Sequence, residues 1–501
     1  MTRIAISLIV IIMLAACADT GDALQKPMSI KKETDSVVLA SGEMLRFTRG
    51  VITVAENRTR DLSRSIDVEF HIIPAQIDAP AGVPPIYLLR GGPGFEGLDP
   101  LLEQPMWYEL YLLEYTKIAP VVVVGQRGFG QSSSLPCPSM PEVQLDEVSQ
   151  LSDRLQRYKA GALKCRDFYE AKGVDLSGYN VNEMANDVLD VASALAHDRI
   201  QLVGNSFGSH WAMAILRIDA ERVSRVVLTA LEGVDHTFDL LGEKRRTLER
   251  IAAEAEAQPA LAPLIPESGL VKSFANLVAQ AEQSPIVVET THVGTGETLS
   301  LTIDGDALRS LAQGTRRGTT WRHLMAVWPG DLLEMLTGNF EAASIRLQNV
   351  WLNNRVQHAA YFSAECASGL STKRNQQLQD ELESELVLPA YLWAAKVCDS
   401  WPADLGDGFR EGFTTDVPAL LFHGTWDTST SVENAKDVRK TFRNHEFIKI
   451  RGGSHGALIE AIEQDRSIEQ QVLGFIRTGD ATDLPAVIEL PPLNWKVPVQ
   501  D

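Results

Sequence analysis

Arg199-Ile200-Gln201-Leu202-Val203-Gly204-Asn205-Ser206-Phe207-Gly208-Ser209-His210-Trp211-Ala212-Met213-Ala214-Ile215-Leu216 contains one serine in a distinctive setting. Residues 199–203 are short and largely apolar, as in a strand buried on both faces, and residues 207–216 read as a helix. Between them lies the pattern GxSxG, from Gly204 to Gly208. Flanking glycines let the chain reverse tightly, which forces the central serine into a strained conformation with its hydroxyl exposed. The setting marks Ser206 as a candidate nucleophile; a plain serine in a glycine-rich turn is the competing reading.

Working outward, residues 86–89, 121–124, 226–228, 419–423 and 447–450 are further short apolar runs. Helical patterns separate some of them, including residues 184–196, where Val188, Leu189, Ala192 and Leu195 share a face. This alternation predicts an α/β architecture with a mostly parallel central sheet and helices on both faces. Alternating apolar residues in 44–53 and 66–73 predict an antiparallel start. Between about 236 and 413 the rhythm breaks into a helical stripe (Leu270, Phe274, Leu277, Val278, Ala281), a hairpin over 286–291 and 299–303, and more helix. The expected organisation is therefore a first core part over 31–235, a large, mainly helical cap over 236–412 between the sixth and seventh core strands, and a second core part over 413–478. An extended tail over 479–501 follows, since it carries Pro485, Pro491, Pro492 and Pro498.

A serine hydroxyl needs a base, and the base needs an acid that orients it. His455 is the best-placed of the histidines, in the small-residue loop Gly452-Gly453-Ser454-His455-Gly456 directly after the last expected strand. His423 lies inside an apolar strand and reads as a hydrogen-bonded core residue, and His445 reads as a surface residue. Asp427, just past the seventh strand, is the favoured acid; Glu232 and Asp235, past the sixth, are the alternatives. The amides of Phe207 and of Gly92, in Arg90-Gly91-Gly92-Pro93-Gly94, are the candidate oxyanion donors. Residues 92–97 also satisfy GxGxxG, but Pro93 and Pro100 oppose the helix start that a dinucleotide site requires.

The chain has 501 residues, more than one hydrophobic core of ~250–300 residues accommodates. Its 46 Lys and Arg against 66 Asp and Glu give a net charge of −20, which disfavours nucleic acid as a partner. Arg3 and the apolar residues 4–16 read as a signal peptide, too short to span a bilayer. Leu14-Ala15-Ala16-Cys17 resembles a bacterial lipobox, which implies cleavage before Cys17 and a lipid anchor on it, with residues 17–30 as a tether. The expected location is a bacterial envelope facing the periplasm, with the outer membrane favoured. Export places the remaining four cysteines in an oxidising compartment. Pairs Cys137–Cys165 and Cys366–Cys398 are favoured because each closes a local loop; buried free thiols are the alternative. No CxxC or His-rich spacing suggests a metal, and no cofactor is expected.

Together Gly91-Gly92-Pro93-Gly94, Gln126-Arg127-Gly128-Phe129-Gly130-Gln131-Ser132, the turn at Ser206, Asp427, His455 and Cys398-Asp399-Ser400-Trp401-Pro402 resemble the α/β-hydrolases of the proline iminopeptidase and tripeptidyl aminopeptidase group. The resemblance runs from about residue 51 to 477. It implies serine hydrolysis of a short peptide or amide from its free N-terminus, with the cap closing the site and supplying carboxylates for the substrate ammonium. Glu365 is the candidate for that carboxylate. The chain departs from the group at Arg90, where a His is usual, and at Gly125, where an Asp is usual. Ala367-Ser368-Gly369 stands where many relatives carry an acidic pair. An esterase on the same residues, and a non-catalytic lipoprotein binding peptides or an envelope partner, are the rival readings.

Overall fold

The computed structural model describes residues 29–94, 112–141, 151–312, 321–352, 358–382, 386 and 392–498. The expected signal peptide, Cys17 and all but the last two residues of the expected tether lie outside the described residues, as do residues 95–97 of the GxGxxG match.

The sheet is built from β1 (Ser29–Val38), β2 (Met44–Ala55), β3 (Ser65–Ile73), β4 (Ile86–Leu89), β5 (Val121–Val124), β6 (Ile200–Asn205) and β7 (Val223–Thr229). After a hairpin of β8 (Ile286–Thr291) and β9 (Thr298–Ile303), it resumes with β10 (Ala419–Gly424), β11 (His445–Arg451) and β12 (Val487–Glu489). Among the described residues its ten strands run in the order β1-β2-β3-β5-β4-β6-β7-β10-β11-β12. β1, β2, β3 and β5 pair antiparallel, and every pairing from β5 through β12 is parallel. All four valines of β5 are buried, because helices cover both faces of a parallel sheet. Neighbouring residues of one strand feed opposite faces. Leu202 and Val226 pack with Val188 and Trp211 of helices Val181–Ala194 and Phe207–Asp219. Val203 and Val227 pack with Val472 and Ile476 of helix Arg466–Thr478 on the other face.

Two strands have no counterpart in the sequence reading. β1 starts at Ser29, inside the stretch taken as tether, and the tail supplies β12 at the far edge. Beyond β12 the tail crosses to the insertion. Trp495 lies 5.4 Å from the Trp426 ring, and the Lys496 ammonium meets Asp331 at 2.8 Å and Glu334 at 2.5 Å.

The insertion expected as one cap over 236–412 has two parts that pack differently. Helices Leu241–Glu256, Gly269–Gln283 and Trp321–Leu336, with the β8–β9 hairpin, enclose a core of their own around Leu248, Phe274, Leu277, Trp328 and Leu332. Helix Ala359–Ser368 instead buries Ala360, Phe362 and Ala364 in the same cluster as the sheet. Among the described residues no helix is long and apolar enough to cross a membrane.

Buried polar groups fix the layers. Arg127, fully buried, grips Asp187 with two hydrogen bonds of 2.7 and 2.6 Å and donates to the carbonyls of Glu56 and Gly178. This fork joins the end of β5 to helix Val181–Ala194. Disulfides join Cys137 to Cys165 and Cys366 to Cys398, the favoured pairs. The first spans 28 residues, and loop entropy assigns such a bridge about 3–4 kcal/mol. Replacing Cys137 and Cys165 together by Ala should lower the urea-unfolding free energy by ~3 kcal/mol; an unchanged midpoint would contradict a stabilising bridge.

Candidate active site

β4 and β6 are neighbours, yet the chain passes from β4 to β5 on one side and reaches β6 on the other. Open α/β sheets bind ligands at such a switch point, outside the carboxyl ends of the strands. Ser206 follows β6 there, and the Gly91–Gly94 turn follows β4. Ser206 has φ 56° and ψ −130°, a left-handed conformation that costs a non-glycine residue ~1–3 kcal/mol. The Ser206 N–H donates to the Thr229 carbonyl at 3.1 Å, and the Ser206 carbonyl accepts from Ser209 N–H and Oγ, both at 2.7 Å. Gly208 is required by close approach: a Cβ there would lie 2.1 Å from the Leu89 carbonyl oxygen. The helix can therefore start against β4 and bring the serine beside the Gly91 turn.

Gln126, buried at the end of β5, clamps that turn. Its carbonyl accepts from the Gly94 N–H at 2.7 Å, and its amide donates to the carbonyls of Arg90 and Gly91 at 3.1 Å. Gly92 and Phe207 thus flank Ser206 on two pinned segments. The Gln126–Ser132 motif by itself gives no sign of this clamp, which depends on the meeting of two loops distant in sequence.

Asp427 and His455 stand past β10 and β11, on the same edge of the sheet as Ser206. The His455 Nδ1 lies 3.0 and 2.9 Å from the two Asp427 oxygens. Asp427 is fully buried and also accepts from Ser429 N–H at 2.8 Å, Thr430 N–H at 2.9 Å and Thr430 Oγ1 at 2.8 Å. Burial alone would raise its pKa, but His455, His423 and these donors together hold it well below the ordinary carboxylate range. An ionised Asp427 accepts from Nδ1–H, which fixes the tautomer in which Nε2 is the acceptor nitrogen. Gly424 is needed where the two loops meet, since a Cβ would come within 2.2 Å of the Gly453 carbonyl oxygen.

His423 is a bracket behind this pair. It accepts from Leu231 N–H at 3.1 Å and donates to the Thr430 carbonyl at 3.0 Å, and burial lowers its pKa. Of the alternative acids, Asp235 receives the N–H and hydroxyl of Ser371 at 2.6 and 2.7 Å and so anchors the residue that caps helix Thr372–Glu381.

Glu232, the other alternative, belongs to a different group. It is buried, and burial first and then the nearby Glu365 raise its pKa well above normal. Glu365, in helix Ala359–Ser368, is likewise buried and pushed up to about 8 by desolvation. Tyr361 feels both carboxyls, and Tyr158 feels Glu365. Among the described residues neither carboxyl has a hydrogen bond or an ion pair, although the Lys244 charge acts on Glu232. The Glu232 backbone is one hydroxyl away from the serine turn, because its N–H meets Ser209 Oγ at 2.8 Å. Sequence spacing, 133 residues apart by numbering, gives no sign that these two carboxyls lie close enough to raise one another's proton affinity. Among the described residues no group of three or more His, Cys, Asp or Glu could hold a metal ion.

No curated protein matches the sequence. Similar solved structures include a hydrolase from Pseudomonas aeruginosa PA01, 14% identical over 85% of this chain and 98% of that one, with TM-score 0.34. A thermophilic esterase from Thermogutta terrifontis is 14% identical over 85% and 99%, with TM-score 0.38. An esterase from Exiguobacterium antarcticum is 13% identical over 85% and 98%, with TM-score 0.37. The family model described as the alpha/beta hydrolase fold matches residues 84–462, and the chain belongs to that family.

Proposed function

We propose that this hydrolase is a serine enzyme cleaving short peptides, or aminoacyl and peptidyl amides, from their N-terminus. The observation that carries this reading is the Glu232–Glu365 pair beside the serine turn. Two buried carboxyls with no hydrogen-bond or ion-pair partner among the described residues are costly to ionise, and a substrate ammonium would relieve that cost. An acyl ester without an amine would not.

In this mechanism Ser206 Oγ attacks the scissile carbonyl while His455 Nε2 takes its proton. Asp427 holds the imidazole tautomer and stabilises the imidazolium. The amides of Gly92 and Phe207 receive the oxyanion, a contribution of about 3 kcal/mol for one such donor. Collapse returns the proton from His455 to the leaving amine and leaves an acyl-enzyme. Water, deprotonated by His455, then releases the acid and regenerates Ser206.

We also propose export and anchoring through lipid on Cys17, facing an oxidising compartment, which suits the two disulfides. Cys17→Ser should move the protein from the membrane to the soluble fraction and abolish labelling by a radioactive fatty acid. Persistent labelling would reject the anchor site.

Ser206→Ala should lower turnover of a peptidyl arylamide by ~10³-fold or more. N-acylation of the substrate should raise KM strongly; equal rates on free and blocked substrates would instead indicate an esterase-like site. Glu365 also sets a pH dependence. Between the unfolded carboxyl's titration near ~4.3 and about 8, the folded chain retains a proton that the unfolded chain has lost. Stability therefore falls as pH rises through that window. Glu365→Gln should stabilise the protein at pH ~8 by more than about 1 kcal/mol relative to pH ~5, read from urea melts. A pH-independent difference would contradict the burial argument.

A further inference from the structure

We propose that Lys244 is a positioning residue for the Asp427–His455 pair, acting through the two peptide groups that hold Asp427. The inference rests on reading Asp427 and His455 as the acid and base of the reaction. Lys244 belongs to helix Leu241–Glu256 of the insertion and is buried. Its ammonium donates to the Thr428 carbonyl at 2.7 Å and to the Ser429 carbonyl, and pairs with buried Asp239 at 2.5 Å. Two carbonyls accept its N–H groups, and the Asp239 carboxylate balances its charge.

The two carbonyls are a specific choice. Thr428 C=O and Ser429 N–H belong to one planar peptide group, and Ser429 C=O and Thr430 N–H to the next. Those two N–H groups are the ones that donate to Asp427 Oδ1, at 2.8 and 2.9 Å. Lys244 thus grips the oxygen ends of both peptide dipoles whose hydrogen ends grip the carboxylate. A cation at the oxygen end polarises the peptide and strengthens the hydrogen bond at the other. Strengthened donors withdraw charge from Asp427 and temper the basicity it confers on His455. Asp239, on the other side of Lys244, is itself held by Asn434 Nδ2 at 2.7 Å, so the ammonium cannot shift freely.

The charged and titratable groups around the pair and its loop are His423 from β10, Asp239, Lys244, Arg250 and Glu254 from the insertion, and Glu433, which Arg250 meets at 3.1 Å. His423 accepts an amide at Nδ1 and is neutral; Arg250 donates to the Thr425 carbonyl at 3.1 Å, whereas Lys244 is the cation on the Thr428 and Ser429 carbonyls. Losing Lys244 should make Asp427 a stronger hydrogen-bond acceptor and raise the proton affinity of His455. A lysine that merely packed would, when lost, loosen the loop, weaken the Asp427–His455 contact and lower that affinity. The two roles predict opposite signs.

The test titrates the His455 ring by NMR in the full chain, with its signal assigned by loss in His455→Gln. Lys244→Met is compared with Lys244→Met/Asp239→Asn, which avoids stranding the Asp239 charge, and thermal melting confirms folding of each. In the double variant the titration should rise by roughly 0.5 pH unit, about a threefold gain in proton affinity. The acid limb of kcat/KM should follow it, with KM nearly unchanged. An unmoved or lowered titration overturns the proposal. Retained turnover in Ser206→Ala would overturn the serine-hydrolase reading separately, while the ring titration would still decide the role of Lys244.

Discussion

A carboxylate without solvent contact must be surrounded by donors, and Asp427 imposes this demand on everything near it. Its two oxygens are met by the His455 ring, two consecutive amides and the Thr430 hydroxyl. To supply them, the loop after β10 must curl back on itself and the loop after β11 must pass close enough to exclude any side chain at Gly424. His423 then ties the same loop to the residues after β7. The ionised acid is thus a structural keystone first, and the chemistry of the imidazole follows from how it is held.

Much of this was legible from residues alone, for physical reasons. Strands buried on both faces are continuous apolar runs, so β5 and β6 stand out, and a serine between glycines after such a run has few other structural explanations. The histidine and aspartate were found from loop position after a strand. What escaped the reading depends on backbone pairing rather than side-chain pattern. β1, with its run of Lys, Glu and Asp, is an exposed edge strand held by a full antiparallel ladder to β2. β12 is three residues between prolines, a composition an edge strand tolerates.

The insertion was harder still. Its helices carry similar apolar stripes, and a stripe does not say which surface it will meet. Only the structure shows that Phe274 and Trp328 face one another, whereas Phe362 joins the sheet's own core. That difference matters for the site. The part carrying Glu365 is bolted to the hydrolase core and bridged by Cys366–Cys398, so its carboxyl has a fixed place beside Glu232. The part carrying Lys244 reaches the site from outside, through hydrogen bonds to a loop. Glu232 has the position after β7 of an orienting acid, but the imidazole pairs with Asp427, and the charge that acts most on Glu232 is that of Glu365.

The tail's crossing from β12 to the insertion makes a strap between parts that are distant in sequence. Trp495 stacks by the residue next to Asp427, and Lys496 binds two carboxylates of helix Trp321–Leu336. A pull on the tail is therefore felt at once by the sheet edge, by the insertion and by the loop that holds the buried acid. The strap converts three separate packing contacts into one mechanical circuit.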